Sequence, residues 1–191
     1  MSTATKWNSK VMLPTDSNYI CRVTGADFGP SKSSGNPMIT LNWEIASPGE
    51  VEIGGNMVNI AGVKPRPTYH TVAAMDAEGE VDEEKTAIKH TQIKELYEKF
   101  GLTSEDIGSM DNPDTSKLLG KACYCLVKAK VTEQRKPPTA AQVEAAKKAG
   151  NKFAQGDVMK NPVTGKDLVD YWPEITEIFG LALTGSVAAP Y

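Results

Sequence analysis

Large apolar residues alternate with smaller or polar ones over several stretches of the chain. Within residues 38–45, every second position is apolar and bulky: Ile39, Leu41, Trp43 and Ile45. The segment 19–24 alternates in the same way. A period of two is typical of half-buried strands, because successive side chains of a strand point to opposite faces. The intervening segment, 25–37, is rich in Gly and Ser, so we predict two neighbouring antiparallel strands joined by a mobile loop.

Three further stretches predict extended structure. Residues 51–63 alternate on either side of a Gly-Gly pair, which is typical of a hairpin or a bulge. Residues 69–72 follow two closely spaced prolines, which favours a short strand at a sheet edge. The longest alternation runs over residues 122–132 and predicts the longest strand of the chain.

Three segments of the chain are predicted to be helical. Residues 88–100 carry apolar side chains every three or four positions, and the run ends at Gly101. Residues 139–148 are rich in Ala, Gln, Glu and Lys, which predicts a surface helix capped by Thr139. The apolar spacing within 175–179 predicts a short amphipathic helix.

These elements divide the chain into three parts. Residues 1–10 are predicted to be a flexible leader, whose Trp7 docks on the domain or on a partner. Residues 11–166 form the β-rich domain, and residues 167–191 form a C-terminal tail or docking segment. In the domain the order of elements is three β segments, a helix and a further long strand. That order matches the OB-fold, a five-stranded partly open barrel with a helix between its third and fourth strands. The predicted fold is therefore mainly β with helices, an OB-fold-like barrel with an inserted helix and a C-terminal extension.

Composition narrows the functional classes. The chain of 191 residues has a net charge of −3, which disfavours indiscriminate binding to nucleic acid unless the charge is segregated. The first ten residues lack the apolar stretch of a signal peptide, and no apolar run approaches the length of a membrane span. Three cysteines cannot all pair with one another. We therefore expect free thiols and a cytoplasmic protein.

Catalytic and metal-binding motifs are weak. The sequence has no phosphate-binding Gly-Lys-Ser/Thr loop, no nucleophile elbow and no His-Glu-x-x-His pair. His70 and His90 fall in different predicted elements, which favours structural or surface roles. A zinc site using Cys123 and Cys125 is an alternative, but their spacing does not fit a structural zinc site. The acidic run 76–84 lacks a calcium-loop pattern. We expect a non-enzymatic protein without metal or cofactor, although a small carboxylate-dependent hydrolase or nuclease stays an alternative.

Positive charge is concentrated in one part of the chain. Segment 121–136 contains five basic residues and one acidic residue, a charge of +4 in an acidic protein. Lysines, arginines and aromatic rings together are what a single-stranded nucleic acid requires, since cations neutralise phosphates and rings stack on bases. The alternative is a solvated sheet face whose lysines prevent edge-to-edge aggregation. The candidate nucleic-acid-binding residues are Arg22, Lys32, Lys64, Arg66, Tyr69, Tyr124, Lys128, Lys130 and Arg135.

A family resemblance rests on three stretches of this sequence. Leu13-Pro14, the segment Ser33-Ser34-Gly35-Asn36-Pro37-Met38 leading into the strand 39–45, and Gly120-Lys121 before the late strand resemble phage-encoded single-stranded DNA-binding proteins of the OB-fold type. The resemblance covers residues 11–132. It implies a protein of the host cytoplasm that coats transient single strands during phage DNA replication or recombination, with little sequence specificity and as a homo-oligomer.

The C-terminus departs from that resemblance. Many such proteins end in an acidic segment with a terminal aromatic residue that recruits replication or recombination proteins. Here residues 181–191 include Tyr191 but no acidic residue. Docking of this segment on a neighbouring subunit is the alternative to recruitment. A second functional class also stays open: a structural or protein-interaction module, such as a virion or assembly component, that uses Trp7 and the apolar cluster 171–179 as protein contacts.

Overall fold

The computed structural model of the protein describes residues 4–14, 17–76, 78–151 and 153–181. Within them lie ten strands and three α-helices. The strands are β1 (Thr5–Lys6), β2 (Ser17–Pro30), β3 (Pro37–Ser47), β4 (Glu50–Ile53), β5 (Asn56–Asn59), β6 (Thr68–Thr71), β7 (Gly108–Ser109), β8 (Asn112–Pro113), β9 (Ala122–Glu133) and β10 (Val169–Leu181). The helices are α1 (Glu83–Lys99), α2 (Ser104–Ile107) and α3 (Ala140–Lys148), with a 3₁₀ turn at Thr115–Leu118.

The main sheet has five strands in the order β10-β9-β2-β3-β6, and every neighbouring pair is antiparallel. The long strand β2 lies at its centre. Its first half pairs with β9, and almost its whole length pairs with β3. The prediction of a mainly β protein with helices is therefore confirmed, including the strands at 38–45, 69–72 and 122–132.

The two edge strands of this sheet meet at one point. The backbone N–H of Arg66 donates to the carbonyl of Pro173 at 2.8 Å, and Arg66 forms a parallel bridge with Glu174. Beyond this bridge, β6 and β10 flank a groove that α1 also lines. The segment just before β6 therefore contacts the opposite edge strand, β10, at this bridge.

Alternating residues of the strands form the core on the inner face of the sheet. Ile39, Leu41, Trp43 and Ile45 are all buried, as the period of two predicts. The indole of Trp43 stacks on Phe100 with 6.1 Å between ring centroids, and its Nε1 donates to Thr68 Oγ1 at 3.0 Å. The predicted apolar stripe of α1 is buried from Ile93 onward. Ile88 is the exception, because it lies on a part of the helix that the sheet does not cover and is 55% exposed.

A small hairpin closes one end of the core. Strands β4 and β5 are joined at Gly54-Gly55, both with positive φ, so the predicted hairpin is confirmed. Strand β1 pairs parallel to β5, and Trp7 packs against the core while its Nε1 donates to the carbonyl of Val11 at 2.8 Å. The described part of the leader is thus attached to the domain, and the prediction that Trp7 docks is confirmed.

Two sequence predictions differ from the structure. Strand β2 continues to Pro30, so the loop covers only residues 31–36, because Ala26 and Phe28 resume the inward alternation after a bulge at 23–25. The predicted helix within 175–179 is wrong, since these residues belong to strand β10.

Two bulges explain the mistaken helix. They lie at 175–177 and 178–180, and they bring Ile175 and Ile178 onto the core face although these residues are three positions apart. Residues 167–181, assigned from sequence to the tail, thus include an edge strand of the main sheet. Residues 182–191, with Tyr191, lie outside the described residues.

Residues 134–168, which join β9 to β10, form a projecting segment that we call the arm. It contains α3 and a hairpin closed by the bridge between Lys160 and Asp167. None of the α3 side chains is buried, although Thr139 caps the helix as predicted. Phe153 lies in an irregular part of the arm.

Among the described residues, the search for a helix with the length and hydropathy needed to cross a membrane finds none.

Candidate nucleic-acid interface

The solvent side of the main sheet, which we call the outer face, brings several candidate residues together. Arg22 on β2 lies opposite Glu44 on β3 and Ala122 on β9. Two residues earlier on the same strand, Ile20 lies opposite Tyr124. Since side chains two apart on a strand share a face, Arg22 and Tyr124 are diagonal neighbours.

Strand β9 carries two further candidates on the outer face. Lys128 lies opposite Glu174, and Lys130 lies opposite Trp172. Lys130 Nζ forms an ion pair with Glu174 Oε1 at 3.3 Å. Tyr124, Lys128 and Lys130 therefore share the outer face, but Glu174 of β10 lies beside the two lysines.

Tyr69 occupies the other side of the outer face. It is the most exposed aromatic residue of the main sheet, with 62% of its surface accessible. Thr40 lies opposite Tyr69 across one strand boundary and opposite Asp27 across the next, so the three form a row over β6, β3 and β2. The ring thus projects from a sheet edge, where a flat ligand has access to it.

Cations bracket Tyr69 along the strand direction. Lys32 lies in the loop 31–36, which two backbone hydrogen bonds of Ser31 hold in a compact turn. At the opposite end, Lys64 is exposed and Arg66 Nη2 donates to Thr132 Oγ1 at 3.3 Å. The structure therefore places basic side chains at both ends of the β3–β6 surface.

Arg135 does not belong to the outer face. Its guanidinium pairs with Glu133 and donates to the carbonyl of Gly156 at 3.0 Å. Its backbone takes part in a bridge with Val158. Arg135 therefore fastens the base of the arm to the end of β9, a role that the charge count of the sequence does not reveal.

The outer face is less positive than the basic count of segment 121–136 implies. Arg22 pairs with Glu44 at 3.2 Å, and Lys130 and Arg135 also have carboxylate partners. In the described ranges, neither Lys32 nor Lys64 forms an ion pair. These two lysines are thus the cations whose charge is least compensated by a neighbouring acid.

One aromatic residue of this surface, Trp172, is not evident from the sequence. Trp172 is 39% exposed and lies beside Lys130 on the outer face of β10. The alternation of 169–174 does not distinguish a strand from a tail, because Pro173 interrupts it. Only the register with β9 brings Trp172 next to the predicted cations.

Two titratable residues of the sheet, His70 and Cys125, have shifted pKa values. Burial, followed by the charge of Lys99, lowers the pKa of His70 to about 4, so the ring is neutral at physiological pH. It lies within hydrogen-bond distance of Thr68 Oγ1, at 3.0 Å. Hydrogen bonds with Cys123 and Cys21, together with burial, raise the pKa of Cys125. No trio of His, Cys, Asp or Glu side chains arranged to hold a metal ion is found among the described residues.

Comparison of the chain with protein families, with curated proteins and with solved structures finds no match.

Proposed function

We propose that the protein binds single-stranded DNA on the outer face of an OB-fold-like barrel. The observation that carries the proposal is the strand order together with the Arg66–Glu174 bridge. In chain order, the five strands of the main sheet are β2, β3, β6, β9 and β10. The first, β2, pairs with the second, β3, and with the fourth, β9, while α1 lies between the third, β6, and the fourth. Arg66, just before β6, forms a parallel bridge with Glu174 of the fifth strand, β10. This order supports an OB-fold-like assignment, since the OB-fold is a five-stranded Greek-key barrel whose second and third strands and connecting loops bind oligonucleotides.

The binding surface in this proposal follows β3 and β6. Single-stranded DNA contacts Lys32 in the loop 31–36, then Tyr69, and then Lys64 and Arg66. Tyr69 stacks on an unpaired base, a contact of about 1–3 kcal/mol that every base makes because each has a π face. The lysines neutralise phosphates and so make affinity fall with salt.

Another part of the single-stranded DNA contacts Arg22 and Tyr124, which are diagonal neighbours on the outer face. Both side chains project from the same outer face, and Arg22 keeps about half of its side-chain surface exposed despite its pair with Glu44. Phosphate competes with Glu44 for this guanidinium, which reduces the gain from the contact. We therefore assign Arg22, Tyr124, Lys128 and Lys130 a weaker contribution than Tyr69, Lys32 and Lys64.

The biological role we propose is the coating of transient single strands during phage DNA replication or recombination, in the host cytoplasm. Stacking and phosphate contacts tolerate any sequence, which suits a coating protein. The resemblance of residues 11–132 to phage single-stranded DNA-binding proteins supports this role.

The test is a fluorescence anisotropy titration of labelled single-stranded DNA, single-stranded RNA and duplex DNA at low and high salt. The proposal predicts micromolar or tighter binding to single-stranded DNA that weakens as salt rises, with weaker binding to duplex. Absence of binding to single-stranded DNA at low salt would contradict it.

A protein-interaction module is the second candidate, and the exposed apolar residues of β10 favour it. Trp172, Phe179 and Leu181 are each more than one third exposed. If the titration shows no nucleic-acid binding and substitution of these residues with Ser abolishes assembly in light scattering, this candidate replaces the first.

A further inference from the structure

The hairpin of the arm holds an apolar side chain rigidly in solvent. Val163 lies at its tip, residues 161–165, and is 90% exposed. Asn161 Oδ1 accepts from the backbone N–H of Val163 at 2.9 Å and of Thr164 at 3.1 Å. Lys160 and Lys166 flank the tip, and both are exposed. A tip ordered in this way loses little conformational entropy on binding, because its turn is already fixed.

The arm as a whole is basic, and none of the side chains of its helix α3 is buried. The arm contains seven basic and three acidic residues, a charge of +4. Helix α3 has nine residues and no buried side chain, a length at which an isolated helix is marginal in water. A partner that covers part of the arm can therefore stabilise helix α3.

A groove of complementary character lies between β6, β10 and α1. It has a volume of about 490 Å³, and Leu96, Ile175 and Ile178 contribute apolar surface to its lining. A recess of about 420 Å³ continues it toward Phe179 and Leu181. The charged side chains of the two recesses are Glu95, Glu98, Lys99, Glu174 and Glu177. We call this combined site the acidic groove; since His70 is neutral and Glu174 pairs with Lys130, its remaining charged side chains carry a net charge of −2.

The groove and the arm lie at different ends of β10. The arm rejoins the sheet at Val169, whereas the groove extends from Glu174 to Leu181. In the structure the tip is exposed, so it does not fill the groove of its own chain. Its complement is therefore available on another copy.

We infer that the hairpin tip of one copy docks in the acidic groove of the next. Val163 packs on the apolar lining, while Lys160 and Lys166 pair with Glu95 and Glu177. Tip and groove are different surfaces of one chain, so a single contact leaves a free tip on one copy and a free groove on the other, and further copies can add head to tail. This goes beyond the proposed function, because the contact forms without nucleic acid. An array of this kind also suits a protein that covers a strand continuously.

The test is sedimentation velocity of the full chain without nucleic acid, over a range of protein concentrations at low and high salt. The proposal predicts a weight-average sedimentation coefficient that rises with concentration at low salt and less so at high salt, since the pairing charges are exposed. A concentration-independent monomer at low salt would overturn it.

Charge reversal makes the test specific. Lys160→Glu/Lys166→Glu opposes two acidic surfaces, and Glu95→Lys/Glu177→Lys opposes two basic ones, so each variant alone should stay monomeric. In an equimolar mixture every tip again meets a groove of opposite charge, and association should return. Failure of the mixture to associate while both variants keep wild-type circular dichroism would refute the docking.

Control variants distinguish docking of the tip from an effect of net charge and from a contact of the tip with nucleic acid. Lys6→Glu/Lys117→Glu changes the net charge as much as the tip variant does, at exposed positions outside both surfaces, and should leave association intact. Val163→Asp should abolish association and Val163→Ile should keep it. If Val163→Asp weakens binding to single-stranded DNA but leaves sedimentation unchanged, the tip contacts nucleic acid and the proposed docking is wrong.

Discussion

The backbone N–H of Arg66 donates to the carbonyl of Pro173, at 2.8 Å, and this bond ties the two edges of the main sheet together. Pro173 is buried, so its carbonyl has little access to water as a substitute partner. The side chain of Arg66 reaches Thr132 on the neighbouring strand. Arg66, two residues before β6, therefore contacts both β9 and β10.

Replacing Arg66 with proline should destabilise the fold. Arg66→Pro removes the N–H and leaves a buried carbonyl unpaired, which costs about 1–3 kcal/mol. Arg66→Ala keeps the N–H and should cost much less. Urea unfolding followed by circular dichroism measures both. Equal stability of the two variants would show that the edge-to-edge bond does not support the fold.

Truncation of Tyr69 should weaken binding without affecting stability. The ring is mostly exposed, so Tyr69→Ala removes little packing, yet it removes a stacking contact of about 1–3 kcal/mol. Tyr69→Phe keeps the ring and should bind single-stranded DNA as the wild type does. Anisotropy titrations with the same oligonucleotide test both. Wild-type affinity of Tyr69→Ala would remove Tyr69 from the binding surface.

The lysines should differ in their effect on the salt dependence of binding. Lys64 has no acidic partner among the described residues, whereas Lys130 pairs with Glu174. Lys64→Gln should therefore reduce the slope of log K against log salt by about 0.7, the value for one phosphate contact on a single strand. Lys130→Gln should change it less, and Lys94→Gln, an exposed residue of α1 outside the proposed binding surface, should not change it. Titrations at four salt concentrations measure the slopes; a larger change for Lys130→Gln would reverse the ranking.

Acid should destabilise the protein through His70. Its pKa is about 4 in the folded state and 6.5 in the unfolded state, so the unfolded chain takes up the proton first as the pH falls. Stability is therefore retained above pH 6.5 and decreases between pH 6.5 and pH 4, by about 3 kcal/mol in total. Urea unfolding across this range should show the decrease in the wild type and in His90→Gln, and a smaller one in His70→Gln. The same pH dependence in His70→Gln would assign it to other groups.

The fold could be predicted as far as local alternation reports it. The parity of Trp43 with Ile39 and Ile45 correctly placed its indole in the core, and the parity of Tyr124 with Lys128 correctly placed both on the outer face. Strand β10 could not be recognised in the same way. Its two bulges put Ile175 and Ile178 on one face three residues apart, which is also the spacing of a helix.

The site was predicted less completely for a related reason. The charge count of segment 121–136 is a property of the chain, but the charge of a surface depends on which strands are neighbours. Glu174 compensates Lys130 only because β10 pairs with β9, a pairing of residues 44 positions apart in the sequence. Arg135 likewise became a structural anchor through contacts with the arm.

Amide chemical-shift mapping with a short single-stranded oligonucleotide tests the central claim most directly, because it reports where the strand lies. The account predicts that the largest perturbations follow the outer face, at Thr40, Tyr69, Lys64 and the loop 31–36, with smaller ones at Arg22 and Tyr124. Perturbations confined to α1 and to residues 174–181 of β10, or none at saturating oligonucleotide, would contradict it.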